Sequence, residues 1–299
     1  MSHLVNWSRR GEWLELIPGK AISSAGDPDT AVLDWLLHSA QMPEKLLKRL
    51  KHEKKIQWKG DRIQLHLFPS QPLGIAPVWQ ELEILYEDDF CLVVHKHVGM
   101  PIHPDGRAGL VTLDHVVAAH YEATGQEVAV RHIHRLDLDT TGPVLYAKNE
   151  WAQLKLDEDM RHKRIERKYV AFVEGNVKQS LSVIDLAIGK DRHHPQRRRI
   201  SSTGQTAITH VQLEEIFKEV SLVRLRLETG RTHQIRVHLS HVGHPLVGDA
   251  LYGGHTTIMT RQSLHGERLA FTHPITQEYI EIDDPWPEDM LELYDLLRA

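Results

Sequence analysis

A chain of 299 residues, 41% hydrophobic and 26% charged, has ordinary globular composition and room for one large domain or two. Its single cysteine, Cys91, rules out an internal disulfide framework, and no apolar run is long enough to span a bilayer. A soluble, cytoplasmic protein with no membrane partner is therefore expected. The net charge of −5 argues against indiscriminate nucleic-acid binding, but residues 44–62 hold eight Lys/Arg against three Asp/Glu and residues 161–204 eleven against four.

Apart from Trp7 and Trp13, residues 1–26 show no pattern, and the N-terminal stretch lacks the apolar centre of a secretion signal. From Thr30, read as an N-cap, Leu33, Leu36, Leu37 and Ala40 recur at helical spacing. Pro43 suits the first turn of a second helix, which points Leu46, Leu47 and Leu50 inward and Lys45, Lys48, Arg49 and Lys51 outward. Residues 55–58 and 62–67 alternate about a Lys59-Gly60 turn, as a β-hairpin does. The Pro- and Gly-rich stretch 70–77 places a boundary between a module at 1–74 and a larger domain at 75–299. There, 82–86 and 90–95 read as strands, and Thr112 caps a helix bearing Leu113, Val116 and Val117 that closes near Gly125.

The stretch His134-Arg135-Leu136-Asp137-Leu138-Asp139-Thr140-Thr141-Gly142 sets two carboxylates two residues apart. Asp, Thr and Gly favour side-chain-to-backbone bonds and open backbone angles, so it reads as a tight loop. Behind it, 143–147 is apolar and reads as a buried strand. A carboxylate on a loop braced by a strand, with Arg135 beside it, suits covalent or acid–base chemistry. The competing reading is a surface turn capped by its own aspartates. A helix from Asn149 and a strand at 169–175 follow, then Arg197-Arg198-Arg199 in a polar stretch. Val223, Leu225 and Leu227 alternate with Arg224 and Arg226 as a strand leading into Thr229-Gly230-Arg231-Thr232-His233-Gln234-Ile235-Arg236. A helix there buries Ile235, Leu239 and Val242 and ends at Gly243. His238, His241 and His244 recur at threes, but Gly243 separates them, so they share no face as ligands and no metal is expected. Nucleotide-binding GxxxxGK[ST] and GxGxxG motifs and the metalloprotease HExxH are absent from the sequence.

HRLDLDTTG resembles the HRLDxxTSG signature of the RluA-type pseudouridine synthases, with Thr141 in place of the usual Ser. Residues 96–104 are similar to that family's NKPxGxxxHP, with His97 in place of Pro, and 167–175 to KxYxAxVxG, with Arg167 where Lys is common. Residues 204–209 are similar to GKxAxT, and 229–239 match TGRTHQIRVHL almost letter for letter. The likeness covers roughly residues 80–285, with its motifs in the family's order.

The resemblance implies an α+β fold whose catalytic domain has a mixed, largely antiparallel central sheet, helices at its sides and a central cleft. A small RNA-binding module like the alpha-L domain would precede it, although Glu53-Lys54 holds the turn that usually has Gly. The implied reaction is isomerisation of uridine to pseudouridine in structured RNA, without cofactor. Asp137 is then the essential carboxylate, acting as a nucleophile on the sugar or as a base that removes a ribose proton. Arg236 keeps it ionised and oriented. Tyr169 stacks on the base, and Arg135 enters the RNA stack as the uridine leaves. Lys48, Arg49, Arg197, Arg198 and Arg199 serve as phosphate contacts. Asp139 reads as a loop-capping acid, and Arg231 as structural or phosphate-binding. Ribosomal RNA is the favoured substrate, transfer RNA the alternative, and a monomer is expected. The rivals are a base-releasing N-glycosylase and a non-catalytic RNA-binding factor of ribosome assembly. Binding alone has no use for the set of Asp137, Tyr169 and Arg236.

Overall fold

Residues 6–104 and 109–299 are described in the computed structural model. Strands β1 (Asn6–Arg10) and β2 (Trp13–Ile17) turn at Gly11, where φ is 60°. This hairpin goes beyond the pattern legible in the sequence. β2 buries Leu14, Glu15 and Leu16 in succession, so the alternation of period two is blurred. The buried Glu15 carboxylate accepts from Arg62 at 3.0 Å and Gln64 at 3.3 Å. Helix α1 (Pro28–Asp34) starts earlier than the cap expected at Thr30. Asp27 caps it by accepting from the amides of Asp29 and Thr30, and Thr30 spends its own hydroxyl on Asp27 at 2.6 Å. Helix α2 (Glu44–His52) buries Leu46, Leu47 and Leu50 and exposes Lys45, Lys48 and Lys51. Strands β3 (Ile56–Lys59) and β4 (Arg62–His66) complete an antiparallel sheet in the order β1-β2-β4-β3.

Strands β5 (Ile84–Glu87), β6 (Cys91–Lys96) and β7 (Gly142–Ala147) form a second antiparallel sheet. Every residue of β6 and β7 is buried because both faces are covered. On one face Leu92, Val94, Val144 and Tyr146 pack against Leu113, Val117 and Tyr121 of helix α3 (Leu113–Ala123). On the other, Cys91, Val93, Leu145 and Ala147 join a cluster with Leu14, Leu16, Leu46 and Leu50, and with Trp151 of helix α4 (Glu150–Arg161). The N-terminal residues thus share a hydrophobic core with the rest of the chain. At the contact Phe90 meets Trp7 at 5.1 Å and Phe68 at 5.7 Å, both edge-on. Ion pairs Arg9–Asp89 at 2.7 Å and Arg49–Glu150 at 2.5 Å flank it.

The largest sheet, antiparallel throughout, involves strands β8 (Glu166–Glu174), β9 (Val183–Asp185), β12 (Ile208–Ile216), β13 (Val220–Leu227), β14 (Leu264–Thr272) and β15 (Tyr279–Asp283), in the order β15-β14-β8-β13-β12-β9. A separate hairpin joins β10 (Ile188–Lys190) to β11 (Arg198–Ile200), so Arg198 and Arg199 lie on a strand where the sequence shows only a polar stretch. β8 is apolar on both sides for a simple reason. Tyr169, Ala171 and Val173 face Ile235 and Leu239 of helix α5 (Gln234–His241). Val170 and Phe172 face Met290 and Leu293 of helix α6 (Glu288–Arg298).

The second and third sheets meet where Thr141 bridges His265 in parallel. The Gly266 amide donates to the Thr141 carbonyl at 2.8 Å, and the Thr141 hydroxyl lies 2.9 Å from His265 Nδ1. At Gly142 φ is 136°, and a Cβ would sit 2.8 Å from the Gly266 backbone. Only glycine permits this approach, and it seats the loop before β7 between two sheets. The α+β architecture implied by the motifs is the one observed. No helix among the described residues is long and apolar enough to cross a membrane.

Because Phe90 is the hinge of the shared core, Phe90→Ala should cost about 3–5 kcal/mol, read as a shifted urea midpoint. An unchanged midpoint would mean that the N-terminal residues contribute little to the core.

Candidate active site

Asp137 sits on the loop that leads into β7, with its side chain 23% exposed. The loop is fixed at several points. His134, buried, accepts the Leu145 amide at Nε2 at 3.3 Å. Burial, helped by the nearby Arg167 charge, pulls its pKa down to about 3, so it is a neutral strut. The Asp137 carbonyl accepts from Thr140 at 3.2 Å, and Arg261 donates to the Asp139 carbonyl at 3.1 Å. Lys96, at the end of β6, has no exposed surface. Its ammonium donates to the carbonyls of His97 at 2.9 Å, Met100 at 2.8 Å and Leu138 at 2.7 Å. One buried cation therefore ties the stretch 97–100 to the residue beside Asp137. Burial lowers its pKa to about 7 against the opposing pull of Asp139 and Asp137.

Arg236 projects from α5 between two carboxylates. Its Nε and Nη2 grip Asp249 at 2.7 and 2.8 Å, and Nη1 reaches Asp137 at 3.3 Å. Burial opposes the charge, but the hydrogen bonds to Asp249 and the fields of both carboxylates raise the guanidinium above its ordinary pKa. Asp249 is 1% exposed and draws no attention in the sequence beyond its place in Gly248-Asp249-Ala250-Leu251-Tyr252-Gly253. Its turn needs Gly248, where φ is 84° and a Cβ would strike the Arg261 carbonyl at 1.9 Å.

Tyr252, from the same segment, lies beneath the arginines. Arg236 and Arg197 stand 5.0 and 5.6 Å from its ring centroid. Its hydroxyl accepts from the Arg198 amide at 2.8 Å and lies 2.8 Å from His233 Nδ1. Burial lowers the pKa of His233 against the opposing pull of Asp137. This phenol couples the Arg197–Arg199 hairpin to the arginine that faces Asp137.

Tyr169, on β8 opposite Gly266 of β14, is buried. Burial raises its phenol pKa, Asp137 adds to the rise, and Arg167 opposes it. Arg167 is itself buried and makes no ion pair among the described residues, and its Nε has no hydrogen-bond partner there. The KxYxAxVxG likeness marks the position of this cation, but not that it lacks a carboxylate partner among the described residues.

Asp137, Arg236 and Tyr169 are therefore brought to one place, with Arg135 exposed on the same loop. Lys48 and Arg49 stand apart on α2, where Lys48 pairs with Glu44 at 2.5 Å and Arg49 with Glu53 and Glu150. Asp139 departs from expectation: its carboxylate caps nothing among the described residues, and its carbonyl is the group that is held. Arg231 donates to the Thr206 carbonyl at 3.0 Å, a structural contact. His238 bonds Thr209 and the Leu186 carbonyl, whereas His244 bonds the Glu174 carbonyl.

The family profile described as RNA pseudouridylate synthase matches residues 90–241. The chain is 40% identical over 296 residues to the uncharacterized RNA pseudouridine synthase YhcT of Bacillus subtilis, covering 97% of this chain and 95% of the relative. It is 35% identical over 257 residues to ribosomal large subunit pseudouridine synthase D of Pasteurella multocida, covering 80% and 78%. Among solved structures, human RNA pseudouridylate synthase domain containing 1 superposes with a TM-score of 0.58 at 27% identity, over 75% of this chain and 98% of its own. The class defined is an isomerase of the RNA pseudouridine synthases. Within that class, the chain belongs to the RluA-type family.

Replacing Asp249 by Asn keeps its shape and removes the charge that grips Arg236. Loss of one partner from a buried ion pair should cost about 3–5 kcal/mol in chemical unfolding. Wild-type stability in Asp249→Asn would show that Asp137 alone orients the arginine.

Proposed function

We propose that this chain isomerises specific uridines to pseudouridine in structured RNA, ribosomal RNA of the large subunit foremost, through Asp137 and without a cofactor. The observation that carries this reading is the shared guanidinium of Arg236. Asp249 holds it from behind with two short bonds, and it offers Asp137 a single longer one. A carboxylate so placed is oriented yet open to a ribose. The reaction breaks the bond from the ribose to the uracil nitrogen, turns the base and joins the ribose to carbon 5, which then loses its proton while the freed nitrogen gains one. Both routes, attack by Asp137 on the sugar and removal of a ribose proton, require a carboxylate oxygen, and Arg236 orients it from 3.3 Å. The Tyr169 phenol, kept protonated by burial, supports a stacking surface for the base. Arg135, exposed and free of hydrogen bonds and ion pairs among the described residues, is suited to fill the gap left by the unstacked uridine.

The relative named for the ribosomal large subunit supports ribosomal RNA as substrate. The exposed lysine row of α2, together with exposed Arg197 and Arg199, supports an RNA substrate in general. Arg49, engaged by two carboxylates, serves the fold more than it serves phosphate.

Asp137→Asn should lower pseudouridine formation on large-subunit RNA by at least about 1,000-fold while RNA affinity persists. Asp139→Asn should retain turnover. Near-normal yield from a folded Asp137→Asn protein refutes the mechanism, and mapping of modified sites to transfer RNA instead refutes the substrate.

Reversing Lys45, Lys48 and Lys51 to Glu tests the α2 surface. The dependence of log affinity on log salt should flatten by about 2–3. An unchanged slope removes α2 from the RNA-binding surface.

A further inference from the structure

β6 ends in His95-Lys96, and His97 follows it directly. Side chains alternate along a strand, so Lys96 turns to the face where it holds the Leu138 carbonyl, and His95 and His97 turn to the other. The His95 amide donates to the Glu83 carbonyl at 2.9 Å, which sets Glu83 beside it across the ladder. One ligand atom each from Glu83, His95 and His97 lies within 4.8 Å of the others, and the two imidazole centroids are 4.7 Å apart.

His95 is oriented for a ligand. Its Nδ1 lies 2.7 Å from the buried carboxylate of Asp284, which fixes the ring and leaves the Nε2 lone pair free. A histidine held by a carboxylate through one nitrogen and free at the other is the common preparation of a metal ligand. Glu83 and His97 are exposed, and their side chains make no hydrogen bond or ion pair among the described residues. A second group, Asp88, Cys91 and His273, meets the same distance condition but is already committed. His273 Nδ1 accepts amides from Ile275 and Thr276, its Nε2 lies 2.7 Å from Asp88, and Asp88 accepts the amides of Phe90 and Cys91.

We propose that Glu83, His95 and His97 bind a divalent transition-metal ion, zinc by the chemistry of the donors. Two imidazoles and a carboxylate suit zinc, whereas magnesium and calcium prefer oxygen alone. Three protein ligands leave the fourth tetrahedral position to water. The ion ties β5 to the end of β6, at the root of the stretch that Lys96 clamps to the catalytic loop. His97 stands where the motif that residues 96–104 resemble has proline. Helical spacing, the pattern sought among the histidines in the sequence, does not reveal a pair two residues apart where a strand ends.

Zinc binding to the full-length protein should be measured by competition with a chromophoric chelator, and the bound metal counted. One ion per chain is expected, and cobalt(II) in its place should give the visible absorption of a four-coordinate site. His97→Gln and Glu83→Gln, both surface changes, should each weaken zinc binding about 100-fold without altering the melting temperature of the metal-free protein. Two results overturn the site: no stoichiometric zinc on the wild type, or equal binding by wild type and both variants. The second would place the metal elsewhere among the 22 histidines. Loss in His97→Gln alone would overturn Glu83 as a ligand.

Discussion

The guanidinium of Arg236 is the contact on which the site depends, and its asymmetry matters more than its presence. An arginine facing one carboxylate tends to take it in a two-pronged grip. Gripped in that way, Asp137 would present its charge to the arginine instead of to a ribose. Here the two-pronged grip goes to Asp249, which has almost no exposed surface. Asp137 receives the remaining arm at 3.3 Å and keeps a face open to solvent. The buried pair of Arg236 and Asp249 is close to neutral by itself, so the excess negative charge of the trio rests on the exposed member.

Placement of that exposed member is a backbone problem. The loop before β7 is held from beneath by the Gly142–Gly266 approach, from one side by the Lys96 ammonium and from the other by Arg261. Each of these contacts engages main chain, so the loop's course does not depend on the side chain of Asp137. Leu138, between the two aspartates, remains 44% exposed, and only its carbonyl is used.

These relations explain what was legible in the sequence. The loop and the strand behind it could be read because turn-forming residues and an apolar run lie next to each other in the chain. α5 could be read from the periodicity of Ile235 and Leu239 and from Gly243. Asp249 was hidden because its meaning comes from a partner distant in sequence. Asp249 is a lone acid until α5 sets Arg236 against it. Thr30 looked like a helix cap because it is a good one; Asp27, followed by Pro28, is better placed and takes the position. Asp139 looked like a cap by composition, yet Arg261 takes the carbonyl and leaves the carboxylate without a hydrogen bond among the described residues.

The acidic net charge is reconciled with an RNA substrate by which charges are already spent. Along the tail, Glu281 and Asp283 pair with Arg268, Asp284 with His95, and Asp289 with Arg261. Near Asp137 the balance reverses. Arg135, Arg197 and Arg199 make no close ion pair among the described residues, although Asp191 lies in the field of Arg197 and Arg199, and Arg197 rests on an aromatic ring. Screening confines a charge's influence to about 8–10 Å, so an approaching phosphate responds to those arginines more than to acids already held by arginine partners. Charge pairing, more than net charge, therefore defines the face an RNA would meet.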